Sequence, residues 1–168
     1  MTMGIAPKLS LTENMIADKL NWKTFFRHGI INRKAVRNYG DEMVEQYQVL
    51  CKSQDVSIDS LSGGNIQKAI VAREFCAGSD LLVLDQPTRG VDVGAMNFIH
   101  QKILEMRSAG KGIILASADL NELIALSDRI LVMHKGRVVA SLSNRPKVSE
   151  QELGLYMLGI KHQEGAEA

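Results

Sequence analysis

The run Leu81-Leu82-Val83-Leu84, uninterrupted in its apolar character and closed by Asp85, constrains this chain more than any other segment. A continuous apolar strand is expected to be buried on both faces, as in a parallel sheet covered by helices. A second buried strand is expected over 112–116. Between the two, residues 94–108 place Met96, Ile99, Ile103 and Met106 on one face of a helix, and Gly110 stops it. Strands alternating with helices predict a parallel α/β core. Ligands in such cores bind beyond the carboxyl ends of the strands. Asp85, Gln86 and Ser117 sit at such ends, which places them on one rim.

Upstream of that strand stands Leu61-Ser62-Gly63-Gly64, followed by Asn65-Ile66-Gln67-Lys68. Two glycines after a serine, opening a helix, make a phosphate-binding corner. The first N–H groups of a helix have no intrahelical acceptor, and the helix dipole favours an anion there. Gly63 and Gly64 let backbone approach a phosphate with no side chain in the way. Four such residues alone would be a weak signal, the alternative being a tight glycine turn with no ligand. The strand ending in Asp85 shortly afterwards makes the pair far more specific.

These residues resemble the nucleotide-binding domain of ATP-binding cassette (ABC) transporters. Leu61-Ser62-Gly63-Gly64-Asn65 is similar to the family's signature motif, the strand ending at Asp85 to its Walker B strand, and Pro87-Thr88-Arg89-Gly90-Val91-Asp92 to the segment entering its D-loop. The sequences 64–68 and 87–95 are similar to the second cassette of sugar and nucleoside importer ATPases, which carry two cassettes in one polypeptide. Phe98-Ile99-His100 leans toward the nucleoside branch. The resemblance runs over about 5–159.

No Gly-x-x-x-x-Gly-Lys-Ser/Thr occurs in the sequence. That loop would cradle the nucleotide phosphates. In the family it lies upstream of the signature, with the glutamine loop and the adenine-stacking aromatic. The chain therefore resembles the C-terminal part of a cassette. The expected fold is α/β: an incomplete P-loop NTPase (RecA-like) core plus a helical subdomain, with the phosphate-loop strand missing. The expected domains are 5–80, helical with the signature; 81–160, the second half of the ATP-binding core; and 161–168, a mobile tail. In the family the missing strand lies between 112–116 and 130–133. Its loss would expose two unpaired strand edges and leave the isolated chain unstable, swapped, oligomeric or repacked.

The resemblance assigns roles residue by residue. ATP would be the nucleotide, with Mg held by Asp85 through water, but only in a complete site. The alternative for Asp85 is a helix cap or a turn residue. Where the family usually has Glu after the Walker B aspartate, this chain has Gln86, and an amide cannot take a proton from water as a carboxylate can. Where it usually has Ser-His-Asp, this chain has Ser117-Ala118-Asp119, and Ala118 cannot reach a γ-phosphate. These are a degenerate base position and a degenerate switch-histidine position. The site built on this Walker B strand is expected to hydrolyse nucleotide poorly. Ser62, Gly63, Gly64 and Asn65 are intact, and in the family each signature faces the phosphate loop of the opposite cassette. Asp92 would cross between cassettes, and it also reads as the N-cap of the 94–108 helix. Gln67 and Lys68 are expected on the exposed side of the signature helix, and Arg89 as a surface or interface charge.

The implied partners are a second cassette, transmembrane permease subunits and, indirectly, an extracytoplasmic solute-binding protein. The implied location is cytoplasmic, on the inner face of the membrane through the permease. A non-catalytic truncated cassette, acting as a binding or regulatory module, is the alternative. A net charge of +1 argues against nucleic acid as a partner. Cys51, Cys76 and the four histidines show no metal-ligand spacing, and two thiols without a framework fit a reducing compartment. No apolar run is long enough to span a bilayer.

Local signals fill in the rest. Ser10 with Glu13 reads as a capping box for a short helix through Met15, Ile16 and Leu20. Trp22, Phe25 and Phe26 cluster before Gly29, as a small core or a contact for a membrane subunit. Asn32 caps a helix from Arg33 to about Leu50, with Ala35, Met43, Val44, Tyr47 and Leu50 on one face and a weak point at Gly40. The signature helix is expected over 65–76, ending near Gly78. Asp119 with Glu122 caps a helix to Leu126. Residues 130–133 and 138–141 flank a hairpin turn at Lys135-Gly136. Ser149 with Glu152 caps a last helix to about Leu158.

Overall fold

A computed structural model of the chain describes residues 4–19, 22–27 and 30–163. Leu20 and Gly29, named above, lie outside the described residues. The chain divides into two units, Met1–Leu82 with Pro87–Ile113, and Val83–Gln86 with Ile114–Ala168.

The first unit is mainly helical. Helix α1 (Leu11–Met15) carries the full capping box, with Glu13 N–H on Ser10 Oγ and Ser10 N–H on the Glu13 carboxylate at 2.7 Å. The hairpin β1 (Phe26–Arg27) and β2 (Ile30–Ile31) follows. Helix α2 (Arg33–Gln46) starts at its Asn32 cap and stops four residues before the expected Leu50. The reason is local: Tyr47 closes the helix, Gln48 turns left-handed at φ +51°, and Leu50 emerges 75 % exposed. Gly40 marks a close approach, since a Cβ there would overlap Gln54 Oε1 and come within 2.5 Å of Thr12 Oγ1. Helix α3 (Gly63–Phe75) and helix α4 (Val93–Ser108) complete the unit, and α3 packs on both α1 and α4. Leu11, Met15, Tyr47, Ile58 and Ile99 are almost fully buried, each such side chain contributing about 1.5–3 kcal/mol of transfer free energy.

The aromatic cluster is a local core. Trp22 stacks on Phe25 at 5.6 Å between ring centroids, and Tyr39 of α2 closes on Phe25 at 5.2 Å. Lys19 is completely buried beside it, paired to Asp18 at 2.7 Å and lying 5.4 Å from the Trp22 ring centroid.

Strands β3 (Leu81–Asp85) and β4 (Gly112–Ala116) are hydrogen-bonded neighbours. Gly112 N–H donates to Asp80 O, and Gln86 N–H donates to Ala116 O, start to start and end to end. The two strands are therefore parallel. The expectation of burial on both faces is corrected: Leu82 and Leu84 are buried, whereas Leu81 is 55 %, Val83 70 % and Ile114 of β4 55 % exposed. Successive side chains of a strand face opposite sides, and only one side is covered among the described residues.

In the second unit, helix α5 (Leu120–Leu126) leads to the hairpin β5 (Arg129–His134) and β6 (Arg137–Ser143). Its two turn residues both have positive φ, Lys135 at +48° and Gly136 at +78°, the conformation that matches the twist of antiparallel strands. Helix α6 (Glu150–Met157), capped by Ser149, packs on β5, and Leu153 and Tyr156 join Ile130, Val132, Val139, Ala140 and Val148 in one core. Leu131 and Met133 project to the other side, 60 % and 64 % exposed. Among the described residues, strand β4 pairs with β3 and not with β5. Gln163 N–H donates to Val139 O, and Lys161 pairs with Glu152.

Candidate functional site

Ser62 is the N-cap of α3, and the helix opens two residues earlier than expected, on Gly63 and Gly64 themselves. The Ser62 Oγ accepts from Asn65 N–H at 3.4 Å and from the Asn65 amide at 2.9 Å, and it stays exposed. Asn65 Oδ1 in turn accepts from Leu50 N–H at 2.8 Å. The amide of Asn65 thus fastens the corner to the loop leaving α2.

The two glycines differ in what requires them. A Cβ on Gly64 would lie 2.8 Å from Asp92 Oδ2 and 3.1 Å from Ala95 Cβ, so packing against the start of α4 demands glycine. A Cβ on Gly63 would meet nothing closer than Gly90 O at 3.7 Å, an ordinary contact. Its φ is not in the left-handed region either. Among the described residues of the unit, neither packing nor conformation accounts for glycine at 63.

Asp92 caps α4 by accepting from Ala95 N–H at 2.9 Å. That backbone hydrogen bond, with help from the Lys68 charge, holds its carboxyl below the usual carboxylate range. Ser62, Gly63, Gly64, Asn65 and Asp92 all belong to the first unit, and a cleft of about 320 Å³ is lined by Gly64, Asn65 and Asp92 together with Gln48, Lys68 and Phe98.

Lys68 departs from the expectation of an exposed side chain. It is half-buried, its Nζ donates to Gln48 O at 3.1 Å, and it stands 4.9 Å from the Phe98 ring centroid. Gln67 is half-buried as well. The pattern of charges and aromatics gave no sign of this, because the partners come from α4 and from the loop after α2.

Asp85, Gln86, Ser117, Ala118 and Asp119 belong to the second unit. Asp85 ends β3 with an exposed side chain. Gln86 follows at φ +51°, a conformation that costs a non-glycine residue of order 1 kcal/mol and collects at functional positions. Ala118 is exposed, between Ser117, whose Oγ accepts from Asp119 N–H at 3.0 Å, and Asp119, which caps α5 by accepting from Asn121 N–H. The ends of β3 and β4 are joined by the Gln86–Ala116 bond, so Asp85, Gln86 and Ser117 share one rim. An aspartate on such a rim can hold a hydrated divalent cation, while Gln86 can only orient a water and Ala118 offers neither proton nor hydrogen bond. No group of three or more His, Cys, Asp or Glu placed to hold a metal occurs among the described residues.

No family model matches the chain. It is 38 % identical over 165 residues to the guanosine import ATP-binding protein NupO of Bacillus subtilis, covering 98 % of this chain and 32 % of that protein. The nucleoside import ATP-binding protein NupA of Lactococcus lactis is 36 % identical over 156 residues, covering 93 % and 31 %. The ribose import ATP-binding protein RbsA of Lacticaseibacillus paracasei is 34 % identical over 163 residues, covering 97 % and 32 %. The chain thus spans about a third of the length of these relatives. Among solved structures, the dimeric ABC transporter cassette MJ0796 superposes with a TM-score of 0.67 at 21 % identity, covering 83 % of this chain and 58 % of that one. An ATP-binding subunit of an ABC transporter superposes with a TM-score of 0.70 at 20 % identity, covering 92 % and 64 %. At those identities the likeness shows the fold, which is the α/β fold of part of a P-loop NTPase cassette. Fold and sequence agree: the chain belongs to the ABC-transporter ATP-binding proteins, alongside those named for sugar and nucleoside import.

Proposed function

We propose that this chain is the segment of an ABC-type ATPase that supplies the signature motif to a partner cassette's ATP site, in a machine that couples ATP binding and hydrolysis to import of a simple sugar or nucleoside. The observation that carries the reading is the open first turn of α3, where Gly63 is a glycine that no described residue of its unit requires. Its N–H groups, with the Ser62 hydroxyl beside them, suit the γ-phosphate of a nucleotide held by another cassette. The names of the relatives support the class of solute. Permease subunits, and through them a solute-binding protein outside the membrane, complete the set of partners. The chain then works at the cytoplasmic face, held there by the permease. No helix among the described residues is long and apolar enough to cross a membrane.

The test is Ser62→Arg in the complete two-cassette ATPase. A bulky cation in place of the cap hydroxyl eliminates ATPase turnover under this reading. Turnover near that of the unaltered enzyme refutes the clamp.

Gln86 and Ala118 favour a second reading for the site built on this chain's own β3. There Asp85 would hold Mg only once a phosphate loop completes the site, and hydrolysis would be slow for want of a carboxylate base. Gln86→Ala then leaves most of the turnover of the complete enzyme, and abolition contradicts it. At the limit of this reading the chain is a non-catalytic cassette module that pairs or regulates.

A further inference from the structure

Lys68 sits one helical turn into α3 from Gly64, and three elements meet at its ammonium. Its Nζ donates to Gln48 O at 3.1 Å. Gln48 is the left-handed residue just past the end of α2, so a cation is bound where a helix C-terminus leaves carbonyls to satisfy. The same ammonium lies 4.9 Å from the Phe98 ring centroid on α4, a cation–π distance. Phe98 in turn meets Tyr47, the residue that closes α2, edge to face at 6.3 Å. Three residues before Lys68, Asn65 holds Leu50 N–H at 2.8 Å. Two side chains of α3 therefore grip the 48–50 loop, and Gly64 seats the first turn against Asp92 and Ala95. Together they fix how far α3 can slide or roll against α2 and α4.

We propose that Lys68 is a positioning residue for the phosphate clamp: by joining Gln48 O to the Phe98 ring it sets the aim of the N–H groups at Ser62, Gly63 and Gly64. The inference rests on the reading of this segment as a clamp supplied to a partner cassette. It separates Lys68 from Ser62, which would touch the phosphate, and from residues that only fill the core. A clamp acts through donors held within a fraction of an ångström of the developing charge, so a small loss of aim appears in turnover before it appears in folding.

The test is Lys68→Met in the complete two-cassette ATPase, with kcat, KM for ATP and thermal midpoint measured together. Methionine keeps the length and apolar stem and removes the charge. Turnover is expected to fall about tenfold or more, since misplacement near 1 Å can cost about a hundredfold, with KM changed less than about twofold because the nucleotide's main cradle is elsewhere. Lys68→Arg is expected to recover most of the turnover, because a guanidinium can both donate to Gln48 O and lie over Phe98. A lowered thermal midpoint with unchanged kcat overturns the proposal, and so does an Arg variant as impaired as the Met variant. Should Lys68→Met fail to fold, Phe98→Leu removes the ring and keeps the charge: a several-fold loss of kcat supports the proposal and an unchanged kcat overturns it. Ser62→Arg measured alongside separates the two claims. Turnover lost in Ser62→Arg but intact in Lys68→Met sinks the positioning role alone, whereas turnover intact in both removes the clamp and the inference with it.

Discussion

A methyl group on Gly64 would stand 2.8 Å from the Asp92 carboxylate oxygen. The second glycine of the signature and the aspartate that starts α4 are thus in direct contact within one unit, and neither can move far without the other. Gly64→Ala is expected to destabilise the chain by about 1–3 kcal/mol through overpacking, although alanine is the better helix former. Chemical denaturation of the two forms checks this, and equal midpoints would show that α4 gives way freely.

Asp92 also makes the structure sensitive to acid. Its folded-state pKa is depressed, first by the Ala95 N–H bond and last by the Lys68 charge. A depressed carboxyl contributes stability that is present above its unfolded value, about 3.9, and that is lost as pH falls through the lower folded value. Asp92→Asn keeps a good cap and cannot titrate. The variant is expected to lose less stability than the parent below about pH 4. Parallel acid-unfolding curves for the two would remove Asp92 from the account.

Gly40 reads as a weak point in a helix and turns out to be a contact point. Thr12 Oγ1 donates to Gln54 Oε1 at 2.7 Å directly over it, and Gln54 also bonds Asp41. Gly40→Ala gains up to about 1 kcal/mol of helix propensity and loses more to the clash, with a net destabilisation of about 1–2 kcal/mol expected. A rise in thermal midpoint would show that Gln54 swings aside.

The hairpin turn carries a correctable strain. Lys135 holds φ +48°, where asparagine is far better tolerated. Lys135→Asn is expected to stabilise the chain by about 0.5–1 kcal/mol. An unchanged or lowered thermal midpoint would mean that the lysine conformation is relieved elsewhere.

What was legible in the sequence is what local chemistry decides. The caps at Ser10, Asn32, Asp92, Asp119 and Ser149 were readable because a cap bonds within three residues, and the Lys135-Gly136 hairpin because its turn is two residues long. A helix opening beside Ser62 was visible from the two glycines after it. Lys68 and the buried Lys19 were not, since Lys68 meets Phe98 30 residues away and Lys19 meets Tyr39 20 residues away, on faces that only packing creates. Nor was the exposure of Val83, Ile114, Leu131 and Met133, because an apolar run does not say how many of its faces are covered. Those side chains predict self-association of the chain on its own. Sedimentation velocity across a concentration series is expected to show it, and Leu131→Lys with Met133→Lys to reduce it; a monomer at all concentrations would contradict it.

The most direct measurement uses Gly63, the glycine that its own unit does not need. Gly63→Ala should leave the thermal midpoint of the chain unchanged or slightly raised, because a Cβ meets nothing closer than 3.7 Å and alanine favours the helix. In the complete two-cassette ATPase the same variant should lower ATP turnover at least about tenfold, because the methyl group stands where a phosphate must approach the backbone. Stability kept and turnover lost is the predicted result. Turnover kept at the level of the unaltered enzyme would contradict the claim that this turn grips a phosphate.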